Sequence, residues 1–388
     1  MVNAAVPSYL GTDFSTASPG QRFGVYLPVW DSEFRVTPSG KNDALKFACR
    51  INPNDSQIMH ALRLRQQYLH AAAVGDTDGL LVDARAVAPF TTGLGNEHPL
   101  ENGFAFLDPY GLPYLPGSGV KGVLRQAATE LASGEWGATH GWDADLIGLL
   151  FGFGDTDDTA QRGALVFWDV IPQIAGNLRV EIMTPHQAHY YQGDESPHDC
   201  GKITPIKFLT VPPGSEFTFH VQIRHSMLQH SPDLLENDKW KSLVMAAFEH
   251  AFTWLGFGAK TAVGYGAMKE DPQKRAAREE FLKKKQEAER EARERAERER
   301  QIASMGPVER AIAECLDARV DKNQPEINAL IAALKAGKWA NEIAVGVAKT
   351  LKERLIAEDK WREFSNKKKP EKDTVYQNTL FIKTLLNE

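Results

Sequence analysis

What this chain lacks narrows its class before any motif is read. Cysteine is scarce: Cys49, Cys200 and Cys315 are the only three in 388 residues, and they lie far apart. An odd, sparse set with no metal-type pairing suits a reducing cytoplasm. No apolar run is long enough to span a membrane and no signal-peptide pattern opens the chain, so a cytoplasmic location is expected. A basic surplus is also missing. The net charge of −6 counts against nucleic-acid binding read from composition alone, where a basic domain is the usual footprint. What remains is ordinary soluble-protein composition, 42% hydrophobic and 25% charged, in a chain long enough for more than one domain.

Two glycine-rich stretches carry the chemistry. The first runs Pro116-Gly117-Ser118-Gly119-Val120-Lys121-Gly122-Val123-Leu124-Arg125. Val120, Val123 and Leu124, continued by Ala127, Ala128 and Leu131, have the spacing of one apolar helix face, with Ser118 as candidate N-cap. Unpaired N–H groups at such a helix start attract anions, and Lys121 and Arg125 fall on one side of its first turns. The second stretch sets Lys260, Thr261 and Tyr265 among Gly256, Gly258, Gly264 and Gly266. Each of these cations could instead decorate a solvated face, and the second loop could be a turn needed only for packing. Close approach to a curved polyanion is the reading preferred here.

Two phosphate-binding folds are excluded. Gly117, Gly119 and Gly122 spell G-x-G-x-x-G, but Tyr114, Leu115 and Pro116 precede them in place of a buried apolar strand. The second stretch has Lys260-Thr261 like a P-loop, yet Ala259 stands where that loop needs glycine, and Phe248 to Leu255 read as helix rather than strand. His186, His189, His198 and Cys200 are metal-ligand types, but their spacing matches no zinc finger and no cofactor is expected.

Along the chain, residues 1–40 read as a long, partly ordered arm, and Ser56 to Ala73 as a helix. Strands are expected at Leu81–Phe90, Phe104–Leu107, Ala164–Ile171, Leu178–Met183, Ile206–Val211 and Glu216–Arg224, with further helices at Asp143–Phe151 and Pro232–Leu255. Interleaved helices and hairpin-like strands indicate an α+β fold. Composition changes at Asp271: Lys274 to Arg300 is nearly all Ala, Glu, Arg, Lys and Gln, a solvated single helix without coiled-coil a and d positions. Val308 to Glu388 reads as a small helical module. The expected organisation is 1–79 arm and helix, 80–270 core, 271–305 charged helical linker and 306–388 helical module.

The ordered set Gly93-Leu94-Gly95-Asn96-Glu97-His98-Pro99-Leu100-Glu101-Asn102-Gly103, Leu115 to Gly122, Gly163 to Asp169, Pro205 to Val211 and Gly256 to Gly266 resembles the RAMP superfamily, the RNA-binding subunits of CRISPR effector complexes. Its wording is similar to the sixth-subunit family of the type III-B (Cmr) complex, over about residues 80 to 268. Gly119 departs from the usual second serine of that loop. The resemblance implies a ferredoxin-like, RRM-related core with helical insertions and a non-catalytic role in holding the 3′ part of a CRISPR RNA. It also implies target RNA and other Cmr subunits as partners. Ser118, Gly119, Lys121, Arg125, Gly258, Lys260, Thr261 and Tyr265 are expected on RNA, Tyr265 either stacking a base or packing as a core tyrosine, while Asn96 and His98 either touch RNA or hold a loop. Relatives that cut RNA carry an aspartate ahead of the Pro-Gly-Ser loop. Here that stretch offers Glu97, His98 and Glu101, so an endoribonuclease and a protein-only scaffold stand as rivals.

Overall fold

The computed structural model describes every residue except 1–2, 75–77, 154–159, 185–189, 191–192, 194–195, 197–204, 229–230, 320, 322–323 and 366–368. It divides into two units, Met1–Ala277 and Arg278–Glu388.

The first unit is mixed helix and sheet. Its sheet contains β1 (Gly79–Ala86), β2 (Leu165–Phe167), β3 (Glu216–Ile223) and β4 (Met268–Glu270), in the spatial order β4-β1-β3-β2 with every pairing antiparallel. Helix α1 (Gly117–Ser133) connects β1 towards β2, and α2 (Lys239–His250) connects β3 towards β4. Period-two alternation decides the faces. Val82 and Ala84 on β1 stand opposite Phe219 and Phe217 on β3, and all four are buried. Against them α1 sets Val120, Leu124, Ala127, Ala128 and Leu131, spaced to share one stripe, and α2 sets Trp240, Val244 and Phe248. Gly134, left-handed at φ 72°, ends α1.

The other face of the sheet is not open. Thr218 donates to Asp83 Oδ1 at 2.8 Å, and the helix Pro53–Ala73 lies over this polar row. Arg63 of that helix meets Glu216 at 3.2 Å, and His70 lies with its ring 5.1 Å from His220. RNA recognition by stacking on a bare sheet face, the mode of RRM domains, therefore has no surface here.

Several expected elements shift. The arm over residues 3–40 is packed into the core: Phe23, Leu27 and Val29 are buried, and the guanidinium of buried Arg22 donates to Phe47 O at 2.7 Å and to Arg50 O. Polar composition hid this, because its few aromatics do the anchoring. The helix expected over Pro232–Leu255 begins only at Lys239 and widens into a π-helical turn at Ala251–Leu255. β1 is shorter than expected and ends at Ala86. Beyond it Phe90 pairs with Val211 as a single bridge.

The charged helix runs Pro272–Ser304. In the second unit, helices Pro307–Asp317, Glu326–Lys335, Asn341–Ala357 and Thr374–Leu386 enclose a separate core of Leu330, Val347, Leu351 and Ile382. No helix among the described residues is long and apolar enough to cross a membrane.

Candidate nucleic-acid interface

The start of α1 is built by close packing. A Cβ on Gly117 would fall 2.2 Å from Phe167 O, so only glycine lets the helix begin against β2. The helix opens at Gly117 rather than after Ser118, with Pro116 at the N-cap position and no side-chain cap from Ser118. Gly117 N–H donates instead to Asp169 Oδ1 at 2.7 Å. A carboxylate from beyond β2 thus takes the end of the helix dipole that an anion would seek. The helix start on which a phosphate is expected thus has its first N–H already engaged, with Ser118 an exposed hydroxyl beside it.

Anion affinity comes from the side chains one turn further on. Lys121 is half-buried, and its amine is held below the ordinary lysine value first by that burial, then by the neighbouring guanidiniums of Arg125 and Arg162. Arg162 arrives from the short hairpin Gly152–Phe153/Gln161–Arg162. Sequence reading missed it, because nothing in the spacing from Arg125 to Arg162 signals proximity. None of the three makes an ion pair among the described residues. Arg125 and Arg162 each repel the charge of Lys121, which a bound polyanion would relieve. Beside them α1 is bare: an added Cβ meets only Leu115 Cδ1, at 3.3 Å, from Gly119 and nothing within 4 Å from Gly122.

The second glycine loop is pinned to the segment after β1. Ala259 N–H donates to Thr91 O and Gly266 N–H to Pro89 O, both at 2.8 Å. Gly258 at φ 91° would place a Cβ 2.3 Å from Thr91 O, and Gly266 at φ 72° would place one 1.8 Å from Phe257 O. At these two positions tight packing is what demands glycine, contrary to the sequence reading of the loop as mainly ligand-facing. The loop still presents a cation. Lys260, left-handed at φ 60°, holds its ammonium 5.8 Å from the centre of the Phe208 ring. Tyr265 packs on the same ring at 5.6 Å, and its hydroxyl is pushed above the ordinary tyrosine value by burial first and by Glu181 second. Thr261 is half-buried in the turn Thr261–Val263. No hydrogen bond or ion pair joins this loop to the Lys121 cluster among the described residues, so the two stand as separate patches.

His98 serves the fold. Leu100 N–H donates to its Nδ1 at 3.1 Å, which leaves Nε2 to carry the proton and donate to Phe23 O at 2.8 Å. Its ring stacks on Phe23 at 3.8 Å, and burial lowers its pKa. Glu101 pairs with Lys41 at 2.9 Å. The acid–base pair that His98 could have made with Glu97 or Glu101 is therefore not assembled. Asn96 is exposed in the turn closed by its N–H to Gly93 O. His186, His189, His198 and Cys200 lie outside the described residues. Among the described residues no group of three or more His, Cys, Asp or Glu side chains could hold a metal ion.

Residues 83–269, which contain both glycine stretches with Lys121, Arg125, Arg162 and Lys260, match the family model of the RAMP superfamily. Over 231 residues the chain is 30% identical to the CRISPR system Cmr subunit Cmr6 of Pyrococcus furiosus, covering 46% of this chain and 64% of that protein. Among solved structures, a chain of the type III-B Cmr-beta complex bound to cognate target RNA is 18% identical, covers 60% of this chain and 71% of its own length, and superposes with a TM-score of 0.42. The crystal structure of Cmr6 from Pyrococcus furiosus is 25% identical, covers 50% of this chain and 98% of its own, and has a TM-score of 0.28. The matched segment includes β1 from Asp83 onward, both helices of the sheet, β2, β3 and nearly all of β4.

Proposed function

We propose that this chain is a non-catalytic, Cmr6-like subunit of a type III-B CRISPR effector complex, whose RAMP domain grips the CRISPR RNA backbone. In this reading the sheet and its two helices form a ferredoxin-like core that carries the grip on its loops. Lys121, Arg125 and Arg162 neutralise one run of phosphates, with Ser118 adding a hydroxyl and the bare surface at Gly119 and Gly122 letting the strand come close. Lys260 takes a phosphate at the second patch, with Thr261 and the Tyr265 ring beside it. Sequence choice is left to guide–target pairing, as in other RNA-guided systems. The 3′ part of the guide, target RNA and neighbouring Cmr subunits are the expected partners. The observation that carries the reading is the cluster of three cations with no ion-pair partner among the described residues, next to helix surface that nothing in the fold fills.

The test is photo-crosslinking of 4-thiouridine-substituted CRISPR RNA to the assembled complex, with the attachment sites mapped by mass spectrometry. Crosslinks in the peptides spanning Gly117–Arg125 and Gly256–Gly266, with the RNA left uncut, are expected. Attachment only within residues 306–388, or none to this chain, would overturn the clamp. RNA cut by the purified chain would make it an endoribonuclease.

A further inference from the structure

The segment ahead of the RAMP domain builds a second concave site that the RNA reading leaves unused. A cavity of about 550 Å³ opens among Phe14, Tyr26, Trp30, Phe34 and Phe47, and Asp31 is the one charged residue on its described wall. Phe14 and Tyr26 are stacked, with ring centres 4.2 Å apart and planes within 6°. Asn3 and Trp30 exchange backbone hydrogen bonds of 3.0 and 3.1 Å, which ties the beginning of the chain across the site.

The local backbone shows that the site is held open at a cost. Asp31 Oδ1 accepts from Glu33 N–H at 2.8 Å and from Arg35 N–H at 2.9 Å, closing a tight turn. That turn forces Phe34 into the left-handed region at φ 58°, where a bulky side chain is strained. Burial does not compensate, because Phe34 is 70% exposed. Tyr9, Leu10 and Val25, from the same segments, are exposed as well. Exposed apolar side chains near an aromatic hollow in the chain are features of protein-binding hot spots, where an anchor side chain is shielded from water.

Charge selects the anchor. Aromatic faces are negative and Asp31 adds a full negative charge, and no lysine or arginine lines the described wall; the Arg22 guanidinium lies 5.2 Å from the centre of the Phe47 ring, which leaves Phe14, Tyr26, Trp30 and Phe34 as the rings open to a ligand cation. Phosphate is repelled from such a site, the opposite of the Lys121 patch. A planar, weakly hydrated guanidinium stacks on aromatic faces and meets a carboxylate through fixed donors. We propose that this pocket seats an arginine side chain of a partner protein, making residues 3–47 a protein-docking element separate from the RNA grip.

Ligand-observed saturation-transfer NMR on the full-length chain tests this, with capped Gly-Arg-Gly, capped Gly-Glu-Gly, adenosine monophosphate and uridine monophosphate as probes. Saturation of the arginine peptide alone is expected. Asp31→Asn keeps an oxygen to accept the two turn N–H groups, so the fold should stand. It should weaken the arginine peptide about tenfold, the loss of one charge-assisted contact. Phe34→Gly relieves the left-handed strain while removing the ring, and should weaken the same peptide with thermal stability unchanged or raised. Both variants should leave RNA affinity unaltered, which separates this site from the clamp. Nucleotide saturation without arginine binding would make the hollow a base pocket. Equal binding of the glutamate peptide, no binding at all, or arginine affinity unmoved in both variants would overturn the proposal.

Discussion

Replacing Lys121, Arg125 and Arg162 together by alanine should change how RNA affinity responds to salt more than it changes anything else. Arg125 and Arg162 are each within electrostatic reach of Lys121, and none of the three is neutralised by a carboxylate among the described residues. If each meets one phosphate of a single strand, each contributes a slope of about 0.7 in log affinity against log salt, and the three about 2. Raising salt from roughly 50 to 200 mM should then cost the native chain about 20-fold more affinity than the triple variant. Fluorescence anisotropy with a labelled single-stranded RNA measures both slopes. Because no ion pair among the described residues is lost, stability should stay within about 0.5 kcal/mol of the native chain. Equal slopes in the two proteins would refute the phosphate assignment. So would an affinity loss that varied with base sequence, since phosphate contacts carry no sequence information.

The glycines divide into two kinds. Gly122→Ala should stabilise α1 by about 0.5–1 kcal/mol in thermal melts while weakening RNA binding, since its Cβ enters open space where the strand is expected to pass. Gly258→Ala should destabilise by about 1–3 kcal/mol in denaturant titration, because φ 91° and the contact with Thr91 O both exclude a side chain; unchanged stability would show that the loop is not pinned there. Burial holds the folded pKa of His98 below its unfolded 6.5, so its contribution is complete above that pH. Below it stability falls, by at most about 1.4 kcal/mol per pH unit, and His98→Ala should abolish that dependence. Glu216 is held below the usual carboxylate range, chiefly by its hydrogen bond from Lys274 at 2.5 Å and then by the charges of Lys274, Arg63 and Arg85. Its contribution is present above pH 4.5 and lost as pH falls through the folded value. Glu216→Gln should cost about 1 kcal/mol at pH 7 and much less at acid pH, read by denaturant midpoints.

Local signals carried much of the fold. The apolar stripe from Val120 to Leu131 announced α1, alternation announced β1 and β3, and the change of composition at Asp271 announced the charged helix. Boundaries moved where tertiary hydrogen bonds outweighed propensity. Asp169, not Ser118, caps α1, and the π turn at Ala251–Leu255 replaces the last stretch of an expected α-helix. Lys121, Arg125 and Lys260 were legible because glycine marks them. Arg162 was not, since it has no pattern of its own and gains meaning only by lying beside Lys121. His98 was open between holding a loop, touching RNA and acid–base chemistry with its neighbouring carboxylates, and only its contacts decide: both ring nitrogens are engaged, by Phe23 and Leu100.

By itself the sequence determined the element types of the sheet and its helices, the RAMP motifs and the two glycine stretches, because periodicity, helix breaking and left-handed turns are properties of neighbouring residues. Tertiary structure alone decided that helix Pro53–Ala73 closes one face of the sheet, that Gly258 and Gly266 serve packing, and that Arg162 completes a cationic cluster. It also decided that a polar-looking arm folds an aromatic hollow around Asp31. Each of these is a contact between residues distant in the chain, set by which surfaces bury one another, and no local pattern records it.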